Sequence, residues 1–173
     1  MTPDLLKLAA AGLALAFPAL AIVAALRDAT TMTIPNWISV ALAALFLPAA
    51  LFAGLPLSAL GFAAAAGLGA LVAGMAMFAM GWIGGGDAKL FTVCALWLGL
   101  TATPVFVLIT ALAGGLLAVG LLGARKYAFA IHGPAWVERL LKPDGDVPYG
   151  LAICAGALFA FPDSPVVKAL MGG

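Results

Sequence analysis

Charge is what this sequence has least of. Only 9% of its 173 residues are Asp, Glu, Lys or Arg, against roughly a quarter in a soluble domain. That scarcity excludes an ordinary water-exposed globular fold. The few charges nearly cancel, at net +1, which leaves no basic footprint for nucleic acid. Histidine occurs once, at His132, with no second ligand beside it. The two cysteines, Cys94 and Cys154, fall inside apolar runs. They form no CxxC pair, so neither a zinc site nor a disulfide framework is indicated. They read as small apolar packing residues. Internal repeats and low-complexity linkers are missing too.

What the chain has in quantity is hydrophobic residues, 65% of the total. They come in runs. Residues 5–26 form the first, long enough to span a bilayer at about 20 residues. No small-residue cleavage site follows it, so it reads as a retained helix rather than a signal peptide. It ends at Arg27-Asp28, and residues 28–33 read as a short polar connection. Ile34-Pro35-Asn36-Trp37 opens a second run that continues to about residue 55. Proline is tolerated in a first helical turn, and Trp37 suits a membrane interface. A tight turn at residues 54–56 leads into the third run, residues 57–83, where Gly67, Gly69 and Gly74 offer small faces for helix packing.

A fourth run covers residues 88–100, only about 20 Å of helix against a hydrocarbon core of roughly 30 Å. It is therefore expected to begin below the membrane surface. Residues 104–122 form a fifth. The longest polar segment, residues 123–147, contains a stretch at 134–141 that reads as a surface helix, with Trp136, Val137, Leu140 and Leu141 on its apolar side. Pro148-Tyr149-Gly150 opens a short last run ending near residue 161. The expected fold is an all-α polytopic membrane protein with about six transmembrane helices, in one membrane-embedded domain over residues 1–173. Six spans also give a charge pattern. Arg27, Lys89, Arg125, Lys126, Arg139 and Lys142 fall on one side, and only Lys7 and Lys168 on the other. The positive-inside rule puts the first set in the cytoplasm and both chain ends outside it.

Against this background Gly84-Gly85-Gly86-Asp87-Ala88-Lys89-Leu90 stands out. Ionisable groups at membrane depth are costly and usually mark a pathway or a reaction site. The glycines allow a sharp turn and close approach of neighbouring groups. By the expected topology Asp28 and Asp87 lie near the same membrane face. Two carboxylates that share a site can hold one proton between them, and such a pair can deprotonate a water while protonating a scissile group. Taken singly, Asp28 also suits a solvated loop and Asp87 a helix N-cap. Asp144 and Asp146 form a second acid pair, which reads as solvated turn residues flanking Gly145. Lys89 reads as an interfacial anchor. Membrane acids also serve proton-coupled transporters, although these more often place them at midplane between repeated halves. A structural subunit of a secretion machine is a third class, but it has no need of a glycine-flanked acid.

Gly84-Gly85-Gly86-Asp87 fits the GxGD motif of intramembrane aspartyl proteases, and with Ala88-Lys89-Leu90 it resembles the second catalytic motif of the type IV prepilin peptidases. Asp28 followed by Ile34-Pro35-Asn36 resembles that family's first motif, and Pro148-Tyr149-Gly150 the start of its last helix. The resemblance implies a bacterial inner-membrane endopeptidase that removes the short basic leader of type IV pilin or pseudopilin precursors at the cytoplasmic face. It implies Asp28 and Asp87 as catalytic, with Gly84, Gly86, Lys89, Pro35 and Asn36 as supporting motif residues, and no metal or organic cofactor. The first helix begins almost at once, so the likeness is to the short, peptidase-only form of Flp-type systems, without the N-terminal methyltransferase domain of longer members. The product is then expected to keep an unmethylated amino terminus.

Overall fold

The computed structural model describes residues 2–127 and 133–172, and all regular structure among them is helical. Seven helices follow in order: α1 (Pro3–Thr31), α2 (Asn36–Phe52), α3 (Leu57–Ala79), α4 (Gly85–Tyr127), α5 (Ala135–Leu140), α6 (Tyr149–Ala160) and α7 (Pro165–Met171), with a 3-10 turn, Phe161–Asp163, before the last. His132 lies outside the described residues.

Four helical stretches among the described residues are long and apolar enough to cross a membrane, not the six expected: Asp4–Thr31, Leu57–Ala79, Gly85–Lys126 and Tyr149–Met171. The difference has two physical sources. α2 has only 17 residues, so it is short for a span by itself. The expected fourth and fifth helices are the two arms of α4, which meet at Gly99 with φ 63° and ψ 177°. That positive φ is a glycine conformation. The chain turns back there. Phe91 and Phe106 stack at 4.9 Å between ring centroids, whereas a straight helix would hold them about 22 Å apart. The short run ending near residue 161 continues through the 3-10 turn into α7, where buried Val166 ties the end of the chain to the core.

The first helix extends past the end expected for it. Asp28 belongs to its last turn rather than to a polar connection, because the helix stops only at Met32, a left-handed cap with φ 55° whose N–H donates to Asp28 O. Thr30 and Thr31 hydroxyls donate to the carbonyls of Leu26 and Arg27 at 2.7 Å each, which lets this polar turn remain helical. α3 ends earlier than expected, at Ala79, and Gly81 (φ 73°) turns the chain toward α4.

The core lies between α1, α2, the first arm of α4 and α6. On α1 the buried side chains are Ala10, Ala14, Phe17, Ala21, Ala24, Ala25 and Asp28, a three-four spacing, with Ala25 beside it, that makes one face of a helix. Small residues on that face allow close helix approach, which drives association in lipid. Trp97 fills the centre. It packs against Phe17 and Phe46, and its indole N–H donates to Leu42 O at 2.8 Å. α6 crosses α4 where Gly156 meets Thr110 and the Phe106 carbonyl, with no room for a Cβ.

Candidate active site

Asp28 and Asp87 each occupy the next step of a packed helix face. Asp28 ends the buried stripe of α1, and Asp87 begins the buried stripe of α4 that continues through Leu90, Cys94 and Trp97. Both carboxylates therefore point into the bundle rather than toward lipid. Asp28 is 5% exposed and Asp87 8%. They line the same polar cavity of about 290 Å³, closed by Gly81, Trp82, Ile83 and Gly84 on one side and by Val147 and Tyr149 on the other. A second lobe of about 240 Å³ also touches both acids, together with Ile34 and the glycine run.

Each acid uses one oxygen to satisfy a helix N-terminus, where backbone N–H groups otherwise have no partner. Asp87 is the third residue of α4, and its Oδ2 accepts from the Gly84 N–H at 3.3 Å. This is the reach-back half of a capping box. Asp28 Oδ2 accepts from the Gly150 N–H at 2.8 Å, 122 residues away, in the first turn of α6. The positive end of a helix dipole faces each carboxylate. The remaining oxygen of Asp87, Oδ1, is buried without a hydrogen-bond partner. A buried acceptor in that state is costly. Thus Asp87 is a cap through one oxygen and has the other left over.

The glycines have separate jobs. A Cβ at Gly84 would lie 3.1 Å from Asp87 Oδ2, and one at Gly86 would lie 3.1 Å from Ile34 Cβ. Gly84 makes room for the carboxylate, and Gly86 lets α4 start against the segment that opens α2. Pro35 caps α2 in an extended conformation. Asn36 Oδ1 accepts from Lys89 Nζ at 2.8 Å in an exposed position. These two side chains tie α2 to α4 and line a different groove from the carboxylates. Lys89 is thus an inter-helix tie at the protein surface.

Three residues at the site gave no such signal in the sequence. Gly150 holds Asp28, and a Cβ there would lie 2.9 Å from Asp28 Oδ2. Its position in Pro148-Tyr149-Gly150 was the available clue, but its partner was not visible. Arg125 is buried; its Nε donates to Leu140 O and its Nη2 to Asp146 O, both at 2.9 Å. It straps the loop after α5 across the cavity mouth. Asp146, exposed like Asp144, is thereby set on the cavity lining, whereas Asp144 is not. Among the described residues no group of three His, Cys, Asp or Glu side chains stands at metal-binding spacing. Cys94 and Cys154 are both buried and unpaired with each other.

Residues 15–119 match the model of the type IV leader peptidase family. That span covers both acids, the Ile34-Pro35-Asn36 segment and the glycine run. Neither the comparison with curated proteins nor that with solved structures produced a significant match.

Proposed function

Because the chain belongs to the type IV leader peptidase family, we propose that it is a membrane aspartic endopeptidase that removes the leader of type IV pilin precursors, of the Flp type or a close relative. The observation that carries this reading is the shared cavity. Asp28 and Asp87 come from helices far apart in sequence, yet both line one polar space in an otherwise apolar bundle. Each is held by a backbone N–H through a single oxygen, so each keeps an oxygen for chemistry.

The reaction follows from that arrangement. One carboxylate takes a proton from water as the water attacks the scissile carbonyl. The other gives its proton to the leaving nitrogen. A single proton shared between paired acids supplies both roles, because two like charges in a dry site are not both favoured. The attacking atom is a water oxygen, so no acyl group is attached to the protein. Six of the chain's basic residues, Arg27, Lys89, Arg125, Lys126, Arg139 and Lys142, support a cytoplasmic orientation of the cavity by the positive-inside rule. On this reading cleavage occurs at the cytoplasmic face of the bacterial inner membrane, with Lys7 and Lys168 toward the other side.

The test is hydrolysis of a purified type IV pilin precursor by the purified chain in ¹⁸O water. The proposal expects leader release with ¹⁸O in the new carboxyl terminus and no covalent adduct on the protein. A trapped acyl-enzyme would overturn the aspartic mechanism. Absence of any cleavage by folded protein would overturn the proteolytic reading.

A further inference from the structure

The wall of the polar cavity that carries Asp146, Val147 and Tyr149 follows a stretch with no core of its own. α5 buries none of its residues, and none of residues 141–147 is buried. Burial resumes at Pro148 and Gly150. A segment with so few buried apolar contacts opens easily unless polar bonds hold it. Here the bonds come from two arginines. Arg125, buried in the last turn of α4, donates from Nε to Leu140 O and from Nη2 to Asp146 O, both at 2.9 Å. Arg139 on α5 donates to Thr30 O at 3.1 Å, in the turn of α1 that carries Asp28.

Burying a guanidinium is costly unless its donors are satisfied. This one is satisfied by two neutral carbonyls on either side of a turn. Leu140 ends α5, where a carbonyl has no intrahelical partner and a cation is favoured. The turn wraps the guanidinium closely. Gly145 N–H donates to Lys142 O at 3.1 Å, and a Cβ at Gly145 would lie 3.2 Å from Arg125 Nη2 and 3.1 Å from Arg139 O. Beyond Asp146 the chain runs through Pro148, whose ring fixes φ, into the first turn of α6. There the Gly150 N–H donates to Asp28 Oδ2 at 2.8 Å. The bonds close a ring: from α4 through Arg125 and the loop to Gly150, across to Asp28 on α1, and back through Thr30 and Arg139 to α5.

We propose that Arg125 is a positioning residue for the cleavage reaction: by clamping the Leu140 and Asp146 carbonyls it fixes the loop that aims the Gly150 N–H at Asp28. The proposal rests on the proteolytic reading above and adds how one of the two acids is kept in place. The hydrogen bonds of Arg125 go to the loop and not to a carboxylate, so it acts through Gly150 rather than on the substrate. Small displacements of a reacting group cost rate steeply. A loop shift that leaves the helices packed is therefore read in kcat. Lysine is no substitute at this position. Its ammonium is a compact charge on a flexible stem, whereas the planar guanidinium holds two acceptors in fixed directions.

The experiment uses the full chain in detergent with a type IV pilin precursor. Arg125→Met and Arg125→Lys are each expected to lower kcat about tenfold or more, with KM within about threefold. Gly145→Ala pushes the loop off the guanidinium without removing it and is expected to lower kcat about threefold or more. Lys126→Met removes the neighbouring exposed cation and is expected to stay within about twofold. Arg125→Met combined with Gly150→Ala should be little worse than Gly150→Ala alone, because both act through one contact. A second readout needs no substrate. Exchange of the Gly150 amide hydrogen for deuterium, followed by NMR on chain labelled with ¹⁵N-glycine, is expected to quicken about tenfold or more in both Arg125 variants and to stay unchanged in Lys126→Met. Unchanged Gly150 exchange, full kcat in both Arg125 variants, a loss carried by KM, or losses that multiply with Gly150→Ala would each overturn the proposal. If the wild-type chain cleaves nothing, the proteolytic reading fails, and Gly150 exchange still decides whether Arg125 holds that amide at Asp28. If Arg125→Met does not fold, Arg125→Lys and Gly145→Ala decide by the same criteria.

Discussion

The two ends of the helix bundle are held together by different chemistry. At the end that carries Asp28 and Asp87, side chains bond to backbone, locally from Gly84 to Asp87 and across the fold from Gly150 to Asp28, from Arg125 to Leu140 and Asp146, and from Arg139 to Thr30 O at 3.1 Å. At the other end the chain is turned by Gly99, packed against Pro165, and the nearby ion pair, Asp163–Lys168 at 3.1 Å, is exposed. Between them the aromatic contacts of Phe17 with Trp97 and Phe161 tie α1 to α4 and to the 3-10 turn before α7. Buried polar groups are expensive where no water can replace a lost partner. Asp28, Asp87 and Arg125 are buried at one end, whereas at the other the buried polar side chain is Ser164, which only caps α7; this is the pattern of a scaffold separated from a site.

Substitutions at the two ends should therefore separate stability from activity. The largest effect on stability is expected at Trp97, which is fully buried and donates to Leu42 O. Trp97→Ala should cost about 3–5 kcal/mol, read as a lower melting temperature in detergent, with leader cleavage per folded molecule unchanged. A loss of cleavage without a loss of melting temperature would break the separation. Next comes Gly150→Ala, where the added Cβ would lie 2.9 Å from the Asp28 carboxylate. Displacing that acid should lower the cleavage rate by about a hundredfold, with a smaller fall in melting temperature than Trp97→Ala. Lys89→Met removes the exposed bond to Asn36. It should cost about 1 kcal/mol or less and leave cleavage within severalfold of wild type, in a kinetic assay beside Gly150→Ala. Asp163→Asn is expected to do least. Both members of its ion pair are exposed, so thermal melting should change by an amount equivalent to about 0–1 kcal/mol, with cleavage unaffected.

The same contrast explains what was legible in the sequence. Hydrophobic runs locate α1, α2, α3 and α6 well, because lipid-facing and packed residues are both apolar and only the ends need punctuation. The punctuation is where the reading fell short. The end of the apolar run at Leu26 suggested a helix stop, but threonine hydroxyls carry α1 through to Thr31. The spacing of Ala10, Ala14, Phe17, Ala21, Ala24 and Asp28 was present in the sequence and would have placed Asp28 on the packed face. The break between residues 100 and 104 was placed close to the true turn at Gly99, where the two arms of α4 meet. The glycine run and Asp87 were legible as a site because three consecutive glycines beside an acid are conspicuous between two apolar runs. The Gly150–Asp28 bond was not, since nothing local requires it. Asp146 looked like any loop acid because the arginine that sets its loop in place, Arg125, is on another helix.

The central claim is that Asp28 and Asp87 act as one unit. The most direct measurement is leader release by Asp28→Asn, Asp87→Asn and the double variant, each shown by thermal melting to be folded, with Asp144→Asn as the control. The account predicts that each single variant loses detectable cleavage, that the double variant is hardly worse than either, as for groups that act together, and that Asp144→Asn cleaves normally. Near-normal cleavage by folded Asp28→Asn would contradict it, and Asp146, the other acid on the cavity lining, would take its place as the partner to test.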